Sequence, residues 1–136
     1  NNLYANGTPT AWSRDRFQRE NMALSIRNSG SFLQAPSDKY FNDQFTITVW
    51  VKIYSCSHSA RIIDFGDGGE NNENIILSYS LLTTCKPFSA LLNGNTPIWV
   101  HFNTTLKPLD VNVWYHLSLV YNIDKMSKMY LNGFLV

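Results

Sequence analysis

Charged side chains are scarce in this chain: 11 Lys and Arg and 10 Asp and Glu make up 15% of 136 residues, where soluble globular domains average about 25%. The near balance leaves a net charge of +1 and no long-range field to draw in nucleic acid or anionic lipid, so neither is expected as a partner. Long hydrophobic runs are also missing. No window approaches the ~18 uninterrupted apolar residues of a spanning helix, and insertion of this segment into a membrane is not expected. No stretch keeps a helical apolar period for three turns, which argues against a helical bundle.

Catalytic signatures are equally thin. Glycoside hydrolysis needs two carboxylates facing each other across a groove, but the three Glu residues, Glu20, Glu70 and Glu73, do not form a Glu-x-Asp-x-x-Glu run. Gly-x-Ser-x-Gly, His-Glu-x-x-His and glycine-rich phosphate loops are absent too. The chain reads as non-enzymatic.

What is present is polar without charge: 15 Asn, 13 Ser and 9 Thr accompany 44% apolar residues, on a length that suits one core of ordinary size. Cys56 and Cys85 could close one disulfide across a loop of 29 residues. Two unconnected buried thiols are the alternative. His58, His101 and His116 are too dispersed to form a metal site with either cysteine. Asn6-Gly7-Thr8 and Asn103-Thr104-Thr105 match the N-glycosylation acceptor pattern. Together these features favour an extracellular or cell-surface location, although Pro9 makes the first acceptor less attractive.

Period-two alternation is the dominant pattern. Phe45, Ile47, Val49, Val51 and Ile53 alternate with Thr46, Thr48, Trp50, Lys52 and Tyr54, the mark of a half-buried strand. It recurs in Val113 to Tyr121 and in Ile98 to Phe102. Shorter strands are expected at Met22 to Ile26, Ser31 to Ala35, Arg61 to Phe65, Asn74 to Leu82 and Phe88 to Leu92, each bounded by turn residues. Lys128 to Leu131 and Phe134 to Val136 flank Asn132-Gly133, the dipeptide suited to the positive φ values of a type I′ hairpin turn. The expected fold is all-β, a two-sheet antiparallel sandwich of jelly-roll type.

The order of these segments resembles laminin-G-like, concanavalin A-like domains. Ala23-Leu24-Ser25-Ile26 is similar to the family's "ALSF" strand, and Phe45-Thr46-Ile47-Thr48-Val49-Trp50-Val51-Lys52 to its "FTISAWVK" strand. Arg61-Ile62-Ile63-Asp64-Phe65-Gly66-Asp67 resembles "RIISKGD", Asn112-Val113-Trp114-Tyr115-His116 opens a run resembling "GEWHHVAVVYD", and Lys128-Met129-Tyr130-Leu131-Asn132-Gly133-Phe134-Leu135-Val136 resembles "KLYVNGVLV". The resemblance implies a lead-in segment over 1–20 and a sandwich over 21–136. It also implies a further strand after the hairpin, so the chain reads as truncated at its C-terminus.

Three sets of residues are singled out for function. Asp64, Asp67 and Glu70 lie in a Gly- and Asn-rich loop whose hard oxygen ligands suit calcium, although a solvated surface turn explains the same residues. No cofactor is otherwise required. Trp99 and His101, close to Asn103, are candidates for stacking on a sugar, against packing at a sheet edge. Trp50 and Trp114 are candidates to fill the space between the sheets or to cap one face. The resemblance implies a non-catalytic recognition module for a glycan or an extracellular protein. The alternative is a structural unit of a surface assembly, contacting copies of itself or neighbouring domains.

Overall fold

The computed structural model describes residues 3–6, 11–28, 30–41, 44–58, 60–66, 74–93, 96–103, 105–122 and 127–136. All regular elements among them are strands, and every pairing is antiparallel. The chain divides into two units, Asn1–Tyr40 and Phe41–Val136.

In the first unit, β1 (Tyr4–Asn6) pairs with β4 (Phe32–Gln34), and β2 (Ala11–Ser13) pairs with β3 (Ala23–Ser25). The connection between β2 and β3 is organised by Asp15, whose Oδ1 accepts the backbone N–H groups of Phe17 at 2.9 Å and Arg19 at 3.0 Å. Its Oδ2 accepts Arg19 Nε at 2.8 Å. Burial alone raises the Asp15 carboxyl pKa, but these bonds favour the ionised form more strongly, and it titrates below its ordinary value. Gln18 and Asn21 take positive φ values of 65° and 58° to complete the turn.

The second unit is a sandwich. One sheet has the order β12 (Phe134–Leu135), β11 (Ser127–Leu131), β10 (Trp114–Tyr121) and β5 (Phe45–Lys52). The other has β6 (Arg61–Phe65), β7 (Asn74–Ser78), β8 (Phe88–Asn93) and β9 (Thr96–Phe102). Register places Ile47, Leu119 and Met129 in one row across the first sheet, and this row packs on Leu77 of β7 to form the core. Leu77, Leu119 and Met129 are wholly inaccessible, and each such side chain contributes about 1.5–3 kcal/mol through burial. Phe45, Val49, Ile63 and Ile75 extend the same cluster.

A second cluster of Ile53, Cys85 and Leu109 closes one end, with Val51, Cys56, Tyr79 and Tyr115 packed against it. The disulfide expected between Cys56 and Cys85 is formed there, with Cα atoms 5.0 Å apart. Burial pushes the Tyr79 hydroxyl pKa up, partly offset by a hydrogen bond with Ser57. The strand expected over Asn74 to Leu82 stops at Ser78. Beyond it the Ser80 hydroxyl accepts the Cys85 backbone N–H at 3.2 Å, and Leu82 and Cys85 take positive φ values of 58° and 52°. That turn carries Cys85 to its partner.

Candidate functional site

Side-chain parity decides what the first sheet shows outward. Because Ile47 and Val49 of β5 and Leu117 and Leu119 of β10 point into the sandwich, Trp50, Lys52, Trp114 and His116 must point away from it. Trp50 lies directly opposite His116 in register, their ring centroids are 5.0 Å apart at 40°, and Trp50 keeps 44% of its surface exposed. Lys52 lies opposite Trp114. Its ammonium is 5.4 Å from the Trp114 ring and 5.5 Å from the ring of Tyr54, within the range of cation–π attraction. The next row adds the hydroxyls of Thr48, Ser118 and Tyr130.

The hairpin turn fixes the backbone beneath His116. Asn132 and Gly133 have φ values of 51° and 85°, as a two-residue I′ turn requires. The Asn132 side chain accepts the His116 backbone N–H at 2.9 Å through Oδ1, and the Asn132 N–H donates to the His116 carbonyl at 2.8 Å. Both backbone groups of His116 are therefore satisfied where regular pairing of β10 with β11 ends. The indole N–H of Trp114 is buried and finds no acceptor among the described residues.

Asp64 sits in β6 and forms an ion pair with Arg61, while Asp67 and Glu70 lie outside the described residues. Among the described residues no three His, Cys, Asp or Glu side chains gather as metal ligands would. Trp99 and His101 belong to β9, opposite Leu91 and Ser89 in register, and their side chains lie outside the described part of the chain. Asn103 accepts the backbone N–H and the hydroxyl of Thr105 at 2.9 and 2.8 Å through Oδ1. Asn6 instead uses its amide nitrogen, the atom a glycan would be attached to, to donate to Gln34 Oε1 at 2.9 Å.

Of the two placements open to Trp50 and Trp114, the structure has them capping the outer face. Read along its own strand, neither residue is grouped with His116 and Lys52. Parity gives their direction, since once Ile47 and Val49 are assigned inward Trp50 and Lys52 have one remaining side, and the pairing of β5 with β10 gives their neighbours.

The match to known proteins agrees with this architecture. A family model described as the concanavalin A-like lectin/glucanases superfamily, Laminin_G_3, covers residues 27–136. No curated protein and no solved structure matches the chain. The match spans the larger part of the sequence, including all eight strands of the sandwich, and the chain belongs to the Laminin_G_3 family of the concanavalin A-like lectin/glucanase superfamily.

Proposed function

We propose that the domain is a non-catalytic, extracellular recognition module that binds a glycan on the outer face of the β5–β10–β11 sheet. Membership of a lectin-like superfamily supports binding of carbohydrate or protein, and the exposed Trp50 ring set against His116 carries the choice of face. A pyranose presents an apolar C–H face that stacks on an aromatic ring, while its hydroxyls need nearby donors and acceptors. Thr48 and Ser118 lie in the adjoining row. The disulfide fits an oxidising compartment.

Glycan-array screening with intrinsic tryptophan fluorescence tests this reading. A bound glycan that perturbs Trp50 fluorescence is expected. Absence of any glycan ligand, with or without calcium, would overturn it.

A second reading, assembly with copies of the chain, is favoured by β5, which ends the strand order of its sheet. An edge strand can pair with another chain. Light scattering distinguishes the two, since a monomer across micromolar concentrations is incompatible with assembly.

A further inference from the structure

We infer that the outer face selects a saccharide bearing a carboxylate, a uronic acid unit, and takes the carboxylate on Lys52 rather than through a metal ion. The inference rests on the glycan-binding reading above and adds the ligand class. The four strands of this sheet, 45–52, 114–121, 127–131 and 134–135, contain Lys52 and Lys128 and no Asp or Glu. The face is thus positive in a chain that is otherwise nearly neutral. Among the described residues no carboxylate lies within ion-pairing distance of Lys52, and its ammonium is held between the rings of Trp114 and Tyr54.

Geometry sets the size of the ligand. Trp50 and Lys52 are successive outward positions of one strand, with backbones about 7 Å apart at the usual rise, a span that a carboxylate on the rim of a pyranose covers together with one hydrogen bond of about 2.8 Å to the ammonium. A sugar stacked on Trp50 therefore presents an equatorial carboxylate to Lys52, while its hydroxyls meet Thr48 and Ser118 on the other side. Aromatic contact orients the ring, and the ammonium separates an acidic sugar from its neutral counterpart. A charge-assisted hydrogen bond of this kind contributes about 1.5–3 kcal/mol, so a discrimination of roughly tenfold or more is expected.

The test compares oligogalacturonates with their methyl esters, which keep the ring and remove the charge, by calorimetric titration of the disulfide-intact chain. Uronic acid oligosaccharides of other linkage are screened alongside. The acidic form should bind about tenfold more tightly, weaken with added salt and be unaffected by a chelator. Lys52→Met should bring the acid and its ester to the same affinity. Trp50→Ala should abolish binding of both, with its near-UV spectrum and melting confirming that it folds. Equal affinity for acid and ester, or loss of binding on chelation, would overturn the charge selection and leave glycan recognition standing. Unchanged binding by Trp50→Ala would overturn the site. Failure to bind any acidic sugar while neutral glycans bind would overturn the ligand class, and failure with every glycan would overturn the recognition reading itself.

Discussion

Reducing the Cys56–Cys85 bond gives the cleanest perturbation, because it removes a covalent link and leaves the amino-acid sequence unchanged. The bond closes a loop with a sequence separation of 29 residues. Chain-entropy reasoning assigns such a loop about 3.6 kcal/mol of stabilisation at 25 °C, through the conformational freedom denied to the unfolded chain. The expected figure takes native packing as unchanged, with both thiols kept against Ile53 and Leu109, where the bonded cysteines lie. With an unfolding entropy of about 2.1 cal/mol/K per residue, the midpoint should fall by about 13 °C if all 136 residues melt together. It should fall by about 18 °C if Phe41–Val136 melts alone. Calorimetry with and without a thiol-free reductant measures the shift, and alkylation with mass analysis confirms that both cysteines were released. A fall below about 3 °C would refute the argument, by showing that the unfolded chain is already restricted or that the bond strains the native turn.

Asn132→Ala should cost about 2 kcal/mol, from the lost acceptor for His116 N–H and the positive φ that alanine resists. Asn132→Gly should cost about half as much, and denaturant titration of both variants separates the two causes. Gly66→Ala would place its Cβ 1.5 Å from Asn74 Oδ1 and 2.7 Å from Cγ, so the Asn74 side chain must turn away from its present rotamer, at a cost of about 0.5–1.5 kcal/mol. Adding Asn74→Ala should recover most of it. The stability supplied by the Asp15 carboxylate is fully present above its unfolded pKa, 3.8, and is lost as pH falls through the lower folded value. Asp15→Asn should therefore lower the melting midpoint at pH 6, and the gap from the parent should close below pH 3.8. Peptide mapping of secreted material should find glycan at Asn103 ahead of Asn6, whose amide nitrogen is bonded to Gln34.

Most of the sandwich was legible wherever alternation was long. Over β5 and β10 the period-two pattern runs for eight residues each, so one face is committed to the core and the other is determined by it. β6 occupies the expected span of Arg61 to Phe65, because a compact apolar run ends there at Gly66. β1 and β2 were not anticipated. Each has three residues, too few for a period to show, and their pairing depends on β4 and β3 and on the Asp15 turn. The early end of β7 was hidden for a different reason. Tyr79, Leu81 and Leu82 continue an apolar pattern, but the Ser80 hydroxyl and the disulfide give that backbone other partners.

The outer face needed pairing as well as parity. Strand parity alone shows that Trp50, Lys52, Trp114 and His116 avoid the core, but only the antiparallel register joins them, putting Trp50 against His116 and Lys52 against Trp114. That register is set by Ile47, Leu117, Leu119 and Met129, since a slip of one residue would turn the whole apolar set into solvent. It is also fixed at the chain end by Asn132, which holds both backbone groups of His116. The inward residues can therefore be selected for stability and the outward ones for recognition with little conflict, because no side chain serves both faces. Substituting Lys52 or Trp50 changes what the sheet presents, whereas substituting Leu119 or Asn132 changes whether those groups stand opposite one another at all.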